Sequence, residues 1–464
     1  MSELITILYI VAFALFIHGL AGLTGPRTAV RGNLTAGIGM LIAVVATLLT
    51  PGMRNWWLIA LGLVIGTVVG VPAARRVKMT AVPQMVALFN GVGGGAVALI
   101  SWVEFRHSQG YATVAEYVTV TSLFAAIVGS VSFWGSLIAF GKLQEILPGR
   151  PIGLGRGQQP VNLMLLVAAV GCAVAIGLGV NRGSELLIVA LLAASAVLGV
   201  MVVLPIGGAD MPVVISLLNA LTGLSAAATG LALDNTVMIV AGMIVGASGT
   251  ILTNLMAKAM NRSVPAIVAG GFGGTDAAAG PGGGPTDQTV RQTSAADAAI
   301  QMAYASQVVV VPGYGMAVAQ AQHAVREMAG LLEERGVEVK HAIHPVAGRM
   351  PGHMNVLLAE ADVPYKQLKE MDEINGEFGR TDVVLVIGAN DVTNPAARSN
   401  PSSPIYGMPI LNVDHAQSVI VLKRSMNPGF AGIENELYYD RKTAMLFGDA
   451  KSSVAEITEE LKVL

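Results

Sequence analysis

Val308-Val-Val-Val-Pro-Gly-Tyr-Gly-Met-Ala-Val318 carries four consecutive valines through Pro312 into a Gly-Tyr-Gly turn and then into helix-compatible residues. A β-branched run followed by Gly-x-Gly and a helical pattern is the sequence form of a strand–turn–helix unit. The half of the chain before it is membrane-like, so a nucleotide-type turn hangs from a multi-span membrane domain. That pairing narrows function to redox chemistry or nucleotide control, coupled to something crossing a bilayer.

Outward from this stretch, strand patterns at 307–311, 337–343, 382–387, 409–413, 418–422 and 443–447 alternate with helical patterns at 315–335, 353–361, 364–378 and 451–463. The alternation predicts an α/β Rossmann-like domain with a doubly wound parallel sheet over 299–464. Such sheets take ligands outside the carboxyl ends of their strands. Those ends hold Pro312-Gly-Tyr-Gly315, His344-Pro-Val-Ala-Gly-Arg-Met-Pro-Gly352, Gly388-Ala-Asn-Asp391 and Lys423-Arg-Ser425.

Gly313-Tyr-Gly-Met-Ala-Val318 has two of the three glycines of G-x-G-x-x-G, with Val318 in place of the third. Glycines let the turn form and let a pyrophosphate approach the backbone at a helix N-terminus, where free N–H groups favour negative charge. Similar turns also close βα units that bind nothing. A NAD-type site needs an acid at the end of the second strand, but that strand ends Ala342-Ile-His-Pro345. Lys423 and Arg424, at a later strand end, can instead receive a 2′-phosphate, which tips the balance to NADP(H); alone, they also read as a solvated strand end. Arg349 lies in a Gly/Pro-flanked loop that can bring its guanidinium to a phosphate. Asp391 can meet a nicotinamide or respond to redox state, and either residue can equally be a surface loop charge.

Toward the N-terminus the composition changes. Apolar residues make up 53% and charged residues 12% of the whole chain, and the charges crowd toward the C-terminus. A soluble protein would carry about twice that charge. Residues 1–260 hold about nine apolar runs, each long enough to cross a hydrocarbon core of about 30 Å: 3–23, 34–50, 55–71, 82–103, 117–140, 161–179, 184–204, 212–232 and 236–256. The first lacks a basic leader and a cleavage site and reads as a retained span. Residues 261–298, with Ala269-Gly-Gly-Phe-Gly-Gly-Thr at their centre, read as a flexible Gly/Pro/Ala-rich tether.

Basic residues favour cytoplasmic loops. One set of alternate loops carries Arg27, Arg31, Arg75, Arg76, Lys78, Lys142, Arg150, Arg156, Lys258 and Arg262, the other only Arg54, Arg106 and Arg182. The expected topology has the N-terminus outside and the C-terminal domain in the cytoplasm. Cys172, the one cysteine, cannot form an internal disulfide, and a net charge of −2 argues against a nucleic-acid partner. Polar residues at membrane depth are costly and usually face a bundle interior or water. Asn90, Asn219 and Ser248 are such residues, each with small neighbours that permit close helix approach, and structural interhelix hydrogen bonds are as good an account as a transport role. Asp210 lies in a short cytoplasmic loop, and His18 is the histidine inside a span.

Several blocks in order resemble the β subunit of proton-translocating NAD(P)+ transhydrogenase nearly end to end. They are Ile206-Gly-Gly-Ala-Asp-Met-Pro-Val-Val214, Ala259-Met-Asn-Arg-Ser263, Pro312 to Gln322, His344 to Glu360, Glu370-Met-Asp-Glu-Ile-Asn375, Val384 to Asp391 and Phe447-Gly-Asp-Ala-Lys451. The resemblance implies a proton-conducting domain in the cell membrane, multi-pass and set in lipid, and an NADP(H)-binding domain. A separate α subunit would carry the NAD(H) domain, in a dimer of αβ units, with no metal. The implied reaction is direct hydride transfer between NADH and NADP+, coupled to proton movement.

The site residues follow the matching blocks. The resemblance implies Gly313, Tyr314, Gly315, Met316, Ala317 and Val318 at the pyrophosphate; Val346, Ala347, Gly348 and Arg349 in the adjoining loop; Gly388, Ala389, Asn390 and Asp391 at the nicotinamide, Asp391 as the catalytic group; and Lys423, Arg424, Ser425 and Phe430 around the 2′-phosphate and lid. Asn90, Asn219 and Ser248 fall on the proton path, and Asp210 and Arg262 in coupling. Two positions depart from the family pattern: Asn90 where some members have histidine, and Phe430 where tyrosine is frequent. The rival reading is a nucleotide-gated transporter or channel with a sensory NADP(H)-binding domain.

Overall fold

A computed structural model describes residues 2–23, 28–148, 151–180, 184–207, 210–261, 263–269, 290–350, 352–403, 405–429 and 431–464, the side chains of Ser2, Met79, Arg156 and Ala269 aside. The chain divides into two compact units, Met1–Gly207 with Val213–Thr253, and Gly208–Pro212 with Asn254–Leu464.

Among the described residues, nine helices are long and apolar enough to cross a membrane. They are α1 (Ser2–Gly22), α2 (Ala29–Leu48), α3 (Trp56–Arg76), α4 (Val82–His107), α5 (Glu116–Leu143), α6 (Gln158–Gly177), α7 (Glu185–Val203), α8 (Met211–Ala232) and α9 (Thr236–Ala259). α3 is apolar on every face with no residue buried, which suits lipid and not a water-soluble core. Burial is deepest in α8 and α5, where Ser122, Ser130, Ser132 and Ser136 of α5 and Ser216, Ser225 and Thr229 of α8 face protein. Close packing there depends on paired glycines: a Cβ on Gly94 would lie 2.9 Å from the Gly129 carbonyl oxygen. The helices outrun the apolar runs at several ends, as in α2, which begins at Ala29 where 34 was expected. Backbone hydrogen bonding carries a helix past the apolar segment.

The second unit contains α10 (Val264–Ala269), α11 (Ala295–Ala303), β1 (Gln307–Pro312), α12 (Tyr314–Val318), α13 (Gln322–Glu334), β2 (Glu338–Ile343), α14 (His353–Glu360), β3 (Leu368–Glu370), α15 (Met371–Ile374), β4 (Val383–Ile387), α16 (Ala396–Ser399), β5 (Ser418–Lys423), β6 (Thr443–Phe447) and α17 (Ala450–Val463). The sheet runs β3-β2-β1-β4-β5-β6, with every adjacent pair parallel. β1 is central and wholly buried, as its unbroken valines require of a strand covered on both faces. The order reverses between β1 and β4, where such a sheet opens a crevice at its carboxyl edge.

Three sequence readings change. Residues 409–413 form no strand. Ile410, Leu411 and Val413 are buried as a strand's would be, but Pro409 O meets the His344 ring and Ile410 O takes the Asn375 amide, so loops satisfy this backbone. Residues 364–378 are not one helix; Leu368–Glu370 pair with β2, whose open edge outweighs local propensity. The helix expected at 315–335 breaks after Val318, with Gln320 at φ 53. Of the tether expected at 261–298, residues 262 and 270–289 lie outside the described residues. Its flanks are regular: Met445 N donates to Arg291 O at 2.7 Å, and Ser294 caps α11 by accepting from Asp297 N.

Candidate functional site

The turn after β1 and the turn after β4 meet at the switch point without room for a side chain. Gly313 N donates to Ile387 O at 2.9 Å and Gly315 N to Gly388 O at 3.0 Å. A Cβ on Gly313 would stand 2.4 Å from Ala389 N, and one on Gly388, at φ 66, would stand 2.4 Å from Gly315 Cα. These glycines join two strand ends, a different demand from the open approach expected for G-x-G. Met316 and Ala317 are fully buried beneath the turn, Ala389 is buried, and Val318 is exposed.

Beside this turn stands the loop after β2. The Arg349 guanidinium carbon lies 4.4 Å from the centre of the Tyr314 ring, a cation–π contact. Two histidines shape the loop by accepting backbone hydrogens: His344 Nδ1 from Val346 N at 3.3 Å, and His353 Nδ1 from Arg349 N at 3.0 Å. His344 Nε2 also pairs with Pro409 O at 2.8 Å. Gly348, at φ 109, lies against the His353 ring, and Ala347 is buried. Burial holds both imidazoles down at about 4, helped at His353 by the Arg349 charge and opposed at His344 by the Pro409 hydrogen bond. His341, fully buried in β2, is lowered to about 4 by burial and then by Arg326.

A folded value below the unfolded 6.5 means that stability is present above pH 6.5 and is lost as pH falls toward 4. Each such histidine contributes up to about 1.4 kcal/mol per pH unit inside that window. The denaturant midpoint of the second unit is therefore expected to fall steeply between pH 6.5 and 4.5, less steeply in His341→Gln. A flat profile would show that these rings are not buried neutral.

On the other side of β1, Asn390 and Asp391 follow β4. Asn390 Oδ1 accepts from Tyr438 Oη at 2.8 Å and from Asn435 Nδ2 at 3.1 Å, while its own Nδ2 is buried with no hydrogen-bond partner. Asp391 Oδ2 accepts from Ala431 N at 2.9 Å, which ties Ala431 to the turn after β4. Lys423 Nζ donates to Asn427 O at 2.6 Å and lies 5.7 Å from the Tyr438 ring centre. Burial lowers the Lys423 value, against the pull of Asp391. Burial raises that of Tyr438, its bond with Asn435 lowers it, and Asp391 adds to the rise. Arg424 and Ser425 are exposed, and Phe430 lies outside the described residues. Asn435 and Tyr438 were not legible as site residues, because only tertiary folding carries them to Asn390.

In the membrane unit, Asn90 of α4 is buried, and its Nδ2 donates to Ser136 Oγ at 2.9 Å and Ser132 Oγ at 3.3 Å, both on α5. Ser132 and Thr222 of α8 have hydroxyls 2.5 Å apart, and both reach the Leu218 carbonyl. Asn90 Oδ1 is buried without a hydrogen-bond partner. Asn219 is half-buried on α8, three residues before Thr222. Ser248 is half-buried on α9 and donates to Val245 O at 3.3 Å. Asp210 is half-buried in the turn entering α8, Arg262 lies outside the described residues, and His18 is exposed on α1. The structure thus joins Asn90 to a seam across α4, α5 and α8. Ser132, Ser136 and Thr222 were missed, though Ser132 and Ser136 at i, i+4 share one helix face.

The family model described as NAD(P) transhydrogenase beta subunit matches residues 5–460. Two relatives from Rhodospirillum rubrum, one from a named strain and both named NAD(P) transhydrogenase subunit beta, are each 49% identical over 459 residues. Each alignment covers 98% of this chain and 98% of the relative.

Proposed function

We propose, from the premise that this chain belongs to the NAD(P) transhydrogenase beta subunit family, that it binds NADP(H) at the carboxyl edge of its sheet and conducts protons through its membrane unit. Hydride transfer between NADH and NADP+ is coupled to that proton movement. NADH is held by an α subunit, in a dimer of αβ units in the cell membrane. The second unit faces the cytoplasm and the N-terminus the outside, following the basic loops around Arg31, Arg75, Arg76 and Lys78.

The observation that carries this reading is one chain holding, among its described residues, nine apolar helices long enough to span a membrane and a 3-2-1-4-5-6 parallel sheet whose switch-point turns meet on Gly313, Gly315 and Gly388. The residues present fit the cofactor. Asn390 Nδ2 is a buried donor without an acceptor, and a bound polar ring would supply one. Gly313, Tyr314 and Gly315 with Arg349 would hold the pyrophosphate, Lys423 and Arg424 the 2′-phosphate, and Asn390 and Asp391 the nicotinamide end. When bound, the nicotinamide supplies the redox carbon. Asp391 holds Ala431 at that end through its N–H, which would help to exclude water from the reacting face. Arg349, stacked on Tyr314, is placed to exchange its ring contact for a phosphate.

In the membrane unit, the unpartnered Asn90 Oδ1 can accept from water, and the Ser132–Thr222 pair continues the hydrogen-bonded line to α8. Protonation along that line and the redox state of NADP(H) bias one conformational equilibrium, and linkage makes the two effects reciprocal. The test is hydride exchange between NADH and an NADP+ analogue in sealed vesicles carrying this chain, with and without the α subunit, while internal pH is recorded. Exchange with proton uptake only when α is present is expected. Nucleotide binding with no exchange in any combination would overturn the reading.

A further inference from the structure

We propose that Lys142 is a positioning residue that clamps the C-terminal end of α7 and the start of the connection after it, residues 204–207. The inference rests on the proposed function and goes beyond the nucleotide site and the polar seam. Lys142 is the penultimate residue of α5 and is 3% exposed. Its ammonium donates to the carbonyl of Leu204 and, at 2.7 Å, to that of Ile206. Leu204 follows the last residue of α7, where helix carbonyls lack partners and the dipole is negative, so a cation is favoured there. Ile206 lies beyond the helix, immediately before Gly207. The lysine therefore ties the end of α7 and the start of the next connection to α5.

Neutral amides also reach helix ends in this unit. Gln84 Nε2 of α4 donates to Leu143 O at 3.1 Å, and Gln158 Nε2 of α6 donates to Met201 O at 2.7 Å. The Gln158 amide serves the last turn of α7, and Lys142 adds a bond to the carbonyl that follows that turn. Burying an ammonium costs more than burying an amide, and here it reaches past the end of α7 to Ile206 O. α5 also carries Ser136 and Ser132, about 9 and 15 Å from Lys142 along the axis at 1.5 Å per residue. One rigid helix thus bears the seam partners of Asn90 and Thr222 and, at its end, the clamp on residues 204–207. A shift of α5 against α8 changes both together, so Lys142 transmits the state of the seam to residues 204–207.

The test uses the full αβ enzyme in sealed vesicles with Lys142→Met and Lys142→Arg. Lys142→Met is expected to leave NADP(H) affinity nearly unchanged, to lower proton uptake per hydride about tenfold, and to speed amide exchange at residues 204–207. Lys142→Arg, which keeps the charge, is expected to restore most of the coupling. Wild-type coupling and exchange in Lys142→Met would overturn the clamp. So would equal loss of NADP(H) binding and assembly in both variants, which marks a purely structural residue. If the unaltered enzyme transferred hydride without proton uptake, the parent reading would fail instead, and amide exchange at 204–207 would decide the clamp alone.

Discussion

Gly388→Ala is expected to abolish tight NADP(H) binding and to destabilise the second unit by several kcal/mol. Two costs add at this position. Gly388 sits at φ 66, where an alanine costs about 1–2 kcal/mol in backbone energy. Its Cβ would also stand 2.4 Å from Gly315 Cα and 2.5 Å from Met316 N. Both are backbone atoms of the β1–α12 turn, so no side-chain rotation relieves the overlap. The turns after β1 and β4 must separate, and the crevice they form is lost. Gly336 gives the control: it has φ 87 but nothing within 4 Å of its Cβ position. Gly336→Ala should cost the backbone term alone, about 1–2 kcal/mol, and leave nucleotide binding intact. Denaturant midpoints and NADPH titrations on the two variants separate the contributions. Equal behaviour of the two would show that the glycine contact does not build the site.

Asn90→Leu is expected to reduce proton-coupled transhydrogenation at least about tenfold while NADP(H) binding stays near that of the unaltered chain. Leucine has the branched heavy-atom skeleton of asparagine but is larger, and it can neither donate to Ser132 and Ser136 nor accept from water. Ser132 keeps its contacts to Leu218 and Thr222, whereas Ser136 loses the donor that reaches it from α4. The line from α4 to α8 is cut at its start, and the fold keeps its glycine-mediated α4–α5 packing. Proton uptake and hydride exchange, recorded together in vesicles, give the ratio that decides. Unchanged coupling in Asn90→Leu would remove the seam from the proton path. Asn90→Asp, which retains an acceptor and adds a titratable group, should recover part of the flux with a shifted pH profile.

The histidine clamps explain why the Arg349 loop reads as irregular in sequence yet is held in place. His344 and His353 are neutral above pH 6.5, and each offers a ring nitrogen to a backbone N–H. The loop therefore needs no regular secondary structure to be rigid. The same logic accounts for 409–413, whose apolar pattern matches a strand but whose backbone is taken up by His344, Asn375 and Val392.

The sequence by itself determined the nine apolar spans, the alternating α/β domain and the strand ends where polar and glycine residues gather. Each follows from local physics: an apolar run about 30 Å long belongs in hydrocarbon, and a β-branched run after each helix belongs in a buried parallel sheet. Gly313, Asn390 and Lys423 were legible because their strand ends were. Tertiary structure decided which of these groups meet. Asn90 acquired Ser132 and Ser136, Ser132 acquired Thr222, Asn390 acquired Asn435 and Tyr438, and Lys142 acquired Leu204 and Ile206, all across separations of more than forty residues. The sequence period places a residue on a face, but which other face it meets depends on helix packing and strand order. Those arise from the whole chain's burial and hydrogen bonding, and no local stretch encodes them.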